Sequence, residues 1–213
     1  MKYRHWFWDF DGTLFNTYPR ICRAFQKSLA DAGIFEEIEV IYPQLKITLE
    51  GAAKHFALLY PDVTPQVLLD GYHLHSEEED ISTFIPFPGM KDFLCSVISA
   101  GGHNYLYTHR GNSVFGVLDH NDITGLFTDI VTSLDGFPSK PAPDALQFLM
   151  KKHSLNPGEC IMVGDREIDL AAGLNAGMHA ICLDPDGYCP PIDVVPAFHD
   201  YQSLSSSDLV SEK

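Results

Sequence analysis

The chain has 213 residues, 45% of them hydrophobic, which is enough to bury a core and too apolar for a disordered polymer. With 29 acidic against 14 basic residues, the formal net charge of -15 makes a surface that repels nucleic-acid phosphates and anionic membranes, so any phosphate-bearing ligand needs a local positive site. Cys22, Cys95, Cys160, Cys182 and Cys189 are spread without a CxxC pair, no apolar run reaches membrane-spanning length, and the first strand begins too early for a signal peptide, so a soluble cytoplasmic protein is expected.

In chain order, the apolar run Trp6 to Trp8 is bounded by Asp9 and then by Asp11-Gly12, which reads as a buried strand emptying into a loop. That puts two aspartates at a strand's C-terminal end, the edge where an open α/β sheet frames its ligands. Gly12 permits a tight turn that keeps both carboxylates near one point. Crowded carboxylates repel, and a cation between them or a proton on one of them relieves the cost, so the pair indicates a metal site or an acid/base. An aspartate-rich turn capping the next segment is the other reading of the same residues.

Between Thr17 and Ala32, Ile21, Ala24, Phe25, Ser28 and Leu29 recur at helical spacing, and Gly33 follows as a C-cap. Further helical patterns cover 51–60, broken by Pro61, and 64–76, opened by Pro65. No strand is legible from Phe15 to Ile85, so this block reads as a helical insertion, with the proline-rich stretch Phe84 to Gly89 as a stiff connector back to the core. Strand and helix then alternate: helix 90–100, strand 105–108, helix 113–120, strand 129–133, helix 143–152, strand 160–163, helix 168–175, strand 180–183. The expected fold is α/β, a Rossmann-like, mostly parallel five-stranded sheet with helices on both faces. Residues 1–15 and 88–213 form its core and 16–87 a small helical cap inserted after strand one; the serine-rich tail from Ser203 is expected to be loosely ordered.

Polar residues recur at one structural place. Asp9 and Asp11 follow the first strand, Thr108 and His109 end the second, Lys140 lies in the loop after the third, and Asp165 follows the fourth. In a parallel sheet those ends share an edge. Singly each has a plain explanation: Thr108 ends a strand, Lys140 is a solvated loop residue, and Asp165 or Asp169 caps a helix. His73 and His75 resemble an HxH metal pair, but an exposed face of the helix ahead of Glu77, Glu78, Glu79 and Asp80 accounts for them, and they are given no role. Arg20, Lys46, Lys54 and His55 in the insertion read mainly as solvated cations.

Four ordered segments, DFDGTL, the threonine of YTHR, the lysine of SKPAPD, and GDREID, together resemble the haloacid dehalogenase superfamily of phosphohydrolases. The helical insertion is similar to the cap of its phosphoglycolate phosphatase and β-phosphoglucomutase branch. The resemblance spans Trp6 to about Leu183. It implies Asp9 as a nucleophile that takes the phosphoryl group and Asp11 as general acid, then base. It further implies Mg2+ held by Asp9, the backbone carbonyl of Asp11, and Asp165. Thr108, the His109 amide and Lys140 would bind the phosphoryl group, with Gly12, Thr13 and Asp169 in support. Chemistry agrees, because an anionic phosphoryl group meets an anionic nucleophile only where positive charge is supplied.

The resulting expectation is a magnesium-dependent phosphatase acting on a small phosphorylated metabolite, with no nucleic-acid, membrane or protein partner implied. A β-phosphoglucomutase-like mutase would share the core, but no histidine lies between Asp11 and Lys54, where that family places one. A 2-haloacid dehalogenase would have no use for Asp11. A phospho-accepting signalling module would share the acidic, threonine and lysine set, but not the helical insertion or the DxD loop.

Overall fold

The computed structural model describes residues 1–77, 80–188, 192 and 195–210. Its contacts divide the chain into two compact units, one formed by Met1–Asn16 with the chain from Phe84 onward, the other by Thr17–Thr83.

The first unit is built on a parallel sheet. Its strands are β1 (His5–Trp8), β2 (His103–Tyr107), β3 (Phe127–Val131), β4 (Cys160–Gly164), β5 (His179–Leu183) and β6 (Ala197–Phe198), in the order β3-β2-β1-β4-β5-β6. The strand that opens the chain is therefore central, paired in register with β2 on one side and β4 on the other. Alternation along β1 divides its side chains between the two faces. Trp6 and Trp8 stack 5.7 Å apart on one face, and Phe93 meets both edge-on from α5 (Met90–Ser99). Val117 of α6 (Ser113–His120) joins the same cluster. Phe7 stacks on Tyr105 at 4.6 Å on the other face, in a cluster with Leu146 and Leu149 of α7 (Asp144–Lys152) and Ala172 of α8 (Glu167–Asn175). Each such aromatic pair adds about 0.5–1.5 kcal/mol beyond its area burial. The Trp8 indole nitrogen donates to Asn104 Oδ1 at 3.0 Å, and the Asn104 amide donates to the Leu94 and Leu126 carbonyls, so this buried polar group is satisfied.

Two expectations for this unit are corrected. The sheet has six strands rather than five, because Ala197 and Phe198 extend it beside Cys182 and Leu183. A strand of two residues is too short for any periodicity to register. The tail is also ordered further than its serine content implies. Asp200 caps α9 (Tyr201–Ser205), accepting from the Ser203 amide at 2.7 Å, and the helix buries Tyr201 and Leu204 against the tryptophan face.

The second unit contains α1 (Tyr18–Asp31), α2 (Ile38–Ile47), α3 (Leu49–Leu59) and α4 (Pro65–Glu77), around Cys22, Phe25, Leu29, Ile41, Leu45, Phe56 and Leu68. Gly71 lets α4 approach α1 closely, since a Cβ there would lie 2.4 Å from Ser28 Oγ, which itself donates to the Leu68 carbonyl. The helix α2 has no counterpart in the sequence reading because Pro43 lies within it. Glu39, whose carbonyl Pro43 cannot reach, is exposed to water. Arg20 and Lys46 depart from the solvated reading: both are buried, with Arg20 donating to the Asp80 carbonyl and the Lys46 ammonium over the Tyr18 ring. His75 pairs with Asp31 at 2.6 Å, whereas His73 is exposed.

Cys22, Cys95 and Cys160 are free thiols, and Cys189, like Glu78 and Glu79, lies outside the described residues. No helix among the described residues is long and apolar enough to cross a membrane.

Candidate active site

Asp9 follows β1 by one residue, and its amide donates to the Val163 carbonyl at 2.9 Å, so the sheet itself fixes the carboxylate's position. The chain then turns through Gly12 at φ 81°, a conformation that disfavours a side chain. The turn is closed by the Gly12 amide on the Phe15 carbonyl and by the Leu14 and Phe15 amides on the Phe10 carbonyl. Its far end is held by Tyr201, whose buried hydroxyl donates to the Thr13 carbonyl at 2.9 Å. Thr108 is anchored like Asp9, its amide donating to the Val131 carbonyl beyond the end of β2.

Asp9, Asp165 and Asp169 converge, with one carboxylate oxygen of each within 4.8 Å of the others, and all three are buried. Lys140 enters this cluster from the loop after β3. Its ammonium lies 2.5 Å from Asp9 Oδ1 and 2.7 Å from Asp169 Oδ1. Asp169 can stand so close to the end of β4 because Gly164 has no side chain: a Cβ there would lie 2.2 Å from Asp169 Cβ. Thr13 Oγ1 donates to Asp165 Oδ1 at 3.3 Å, joining the first loop to the fourth.

Burial, and then the Asp169 charge, push the Asp9 carboxyl above the ordinary range against the pull of Lys140. Burial works against the Lys140 ammonium too, yet Asp169 and Asp9 hold it above the usual lysine value. Asp9 Oδ2 is buried and carries no hydrogen bond. A cluster with more carboxylates than close cations and an unpartnered carboxylate oxygen fits a hard divalent cation, which takes oxygen ligands. Asp9, whose Oδ2 carries no hydrogen bond, is better suited to hold it than Asp169, both of whose oxygens are engaged, Oδ1 by Lys140 and Oδ2 by the Arg166 amide; Asp165 completes the cluster.

The remaining candidates lie around this cluster. Thr108 is buried, and its hydroxyl oxygen accepts from the Arg110 amide at 3.1 Å, which leaves its proton available to a ligand. The His109 ring accepts from the Lys140 amide through Nε2, so its proton is on Nδ1. Desolvation, and then the Lys140 charge, pull that imidazole down to about 4. The Asp11 carboxylate is gripped by Arg110, with contacts of 2.9, 2.9 and 2.7 Å. Sequence reasoning missed Arg110 and Tyr201. Arg110 carries a weak signal, a cation directly after Thr108-His109 in an acidic chain, whereas nothing local ties Tyr201 to Thr13, 188 residues away.

The haloacid dehalogenase-like hydrolase family matches residues 7–183. A phosphoglycolate phosphatase from Vibrio cholerae is 28% identical over 185 residues, covering 82% of this chain and 81% of the relative. The crystal structure of a hydrolase from Streptococcus pneumoniae is similar at 32% identity and a TM-score of 0.61, covering 84% of this chain and 92% of that one. A predicted phosphoglycolate phosphatase from Haemophilus somnus shares the fold, with a TM-score of 0.78 at 17% identity over 96% of this chain and 97% of its own. The match runs from β1 through β5 and takes in Asp9, Thr108, Lys140 and Asp165, and the chain belongs to the haloacid dehalogenase-like hydrolases, an enzyme whose curated relatives bear phosphatase names.

Proposed function

We propose that the chain is a magnesium-dependent phosphatase that hydrolyses a small phosphorylated metabolite through an aspartyl phosphate on Asp9. The observation that carries this reading is the buried Asp9 carboxylate, fixed at Oδ1 by Lys140 and left without a hydrogen bond at Oδ2. A carboxylate so placed can bond to phosphorus without first breaking a strong contact on that oxygen. Asp9, Asp165 and the Asp11 backbone carbonyl would hold the magnesium ion, which when bound supplies positive charge to the phosphoryl oxygens.

The chain's own residues do the rest. Asp9 attacks phosphorus and the ester oxygen leaves, taking a proton from Asp11. Asp11 then removes a proton from water as the water attacks the same phosphorus, which frees phosphate and restores Asp9. Thr108 Oγ1, the His109 amide and Lys140 Nζ neutralise or donate to the phosphoryl oxygens. Asp169 orients Lys140 through their 2.7 Å contact, a bond between fully buried groups. In this structure Asp11 is held by Arg110, so its work as acid and base requires that pair to open.

A panel of small phosphate esters assayed with and without magnesium tests the reading. Magnesium-dependent phosphate release from the wild type is expected, with a fall of roughly three orders of magnitude or more in Asp9→Asn. Release from no ester, or turnover near wild type in folded Asp9→Asn, would overturn it.

A further inference from the structure

The helix α9 lies beyond residue 183, where the family match ends, yet Tyr201 at its start reaches the loop that follows β1. Its buried hydroxyl donates to the Thr13 carbonyl at 2.9 Å, across 188 residues of chain. Burial pushes the phenol well above its ordinary value, so it stays protonated and able to donate. The ring has little room to move. It stacks on Trp8 at 6.1 Å and meets Phe93 at 5.8 Å, and a Cβ on Gly89 would lie 3.3 Å from the Tyr201 Cβ.

The contacts that hold α9 in place do not involve Thr13. Ahead of the helix, the Cys182 amide donates to the Pro196 carbonyl at 2.9 Å and the Asp184 amide to the Phe198 carbonyl at 3.0 Å, which fixes β6 to β5. Within it, Leu204 is buried in the tryptophan cluster, and after it the Lys2 amide donates to the Leu209 carbonyl at 2.9 Å. The hydroxyl is thus placed from outside and imposes its position on Thr13. Thr13 is itself buried, and its own hydroxyl donates to Asp165 Oδ1 at 3.3 Å. That is beyond the usual length of an O–H···O bond, so a small retreat by Thr13 loses it. Asp165 is one of the three carboxylates whose oxygens converge beside Lys140.

We propose that Tyr201 is a positioning residue for the cation site: by holding the Thr13 carbonyl it sets the Thr13 hydroxyl against Asp165, and so fixes a carboxylate that would receive the divalent ion. The proposal rests on the reading of the site as a magnesium-dependent phosphatase, and it extends that site to an element outside the family match. Outer partners that orient a metal ligand govern affinity nearly as the ligands do, and here the chain of contacts runs from Tyr201 through Thr13 to Asp165.

Calorimetric titration of the full chain with magnesium chloride, with no phosphate ester present, tests it through a double-mutant cycle. Thr13→Val removes the hydroxyl at nearly constant volume and should weaken magnesium binding about ten-fold or more, the scale for a group hydrogen-bonded to a metal ligand. Tyr201→Phe keeps the ring, loses only the donor, and should weaken binding roughly three- to ten-fold, because it acts one contact further out. The double variant should bind no more weakly than Thr13→Val alone, since both changes act through one contact. A purely structural Tyr201 would lower the unfolding temperature and leave the magnesium affinity of the folded protein unchanged. Should Tyr201→Phe not fold by circular dichroism, Leu204→Ala, which loosens α9 behind the hydroxyl, is titrated in its place: weaker magnesium binding supports the proposal and wild-type binding overturns it. Wild-type affinity in either folded single variant, or losses that add in the double, overturns the proposal while leaving the phosphatase reading intact. Failure of the wild type to bind magnesium overturns both.

Discussion

Asp9 and Lys140 occupy a place where neither charge is tolerable alone. Removing a carboxylate from water costs several kcal/mol, and the Lys140 contact offsets that cost only because Asp169 completes the arrangement on its other side. The pair was legible in the sequence as residue types at strand ends; the 2.5 Å contact between positions 131 residues apart was not. His109 has a consequence at the same scale. Its ring is held near 4 against an ordinary 6.5, by desolvation first and then by Lys140, while its Nε2 accepts from the Lys140 amide. A depressed folded value means that the unfolded chain takes the proton first. This contribution is therefore complete above about pH 6.5 and lost as pH falls towards 4. Denaturant titrations across that window should show stability falling with pH in the wild type, and a shallower slope in His109→Ala. Equal slopes would show that His109 does not stay neutral in the fold.

Elements place these residues, and small backbone features decide how well. The end of β4 and the start of α8 meet at Gly164, where a methyl group would lie 2.2 Å from Asp169 Cβ. Gly164→Ala must displace Asp169, and with it the lysine that Asp169 orients. Overpacking of this kind costs about 1–3 kcal/mol, and misplacing a catalytic lysine by an ångström can lower turnover roughly a hundred-fold. A folded Gly164→Ala enzyme with wild-type kcat would show that Asp169 does not set the position of Lys140. Elements also show what a sequence conceals. Apolar strands such as β1 and β4 are bounded by turn residues and read directly, but Pro43 hides α2, and β6 is too short to pattern. The helix α9 is built from a serine-rich stretch whose two apolar residues, Tyr201 and Leu204, become meaningful only beside Trp8 and Phe93. Through Tyr201, this late element also bonds to the Thr13 carbonyl, beyond the residues that the family match covers.

The whole molecule combines an acidic surface with a buried cluster that needs cations, and divides into an α/β unit and a helical unit. The fold class was legible because alternation of strand and helix forces a parallel sheet, and the site because four strand ends share its edge. Arg110 escaped because a lone arginine reads as solvated until Asp11 is seen in its fork. We propose that the α/β unit carries the phosphoryl chemistry and that the helical unit, residues 17–83, takes the larger part in substrate choice. Replacing 17–83 with a short Gly/Ser linker should keep slow, magnesium-dependent hydrolysis of p-nitrophenyl phosphate, which needs little leaving-group protonation, while discrimination among natural esters falls. A folded truncation with unchanged preferences would place specificity in the core loops instead. The central claim, that Asp9 carries the phosphoryl group, is tested most directly by acid-quenching the enzyme during turnover and mapping its peptides by mass spectrometry. A phosphoryl increment on Asp9 that requires magnesium and is absent from Asp9→Asn is the predicted result; turnover with no increment on Asp9 at any quench time, or an increment on another residue, would contradict the account.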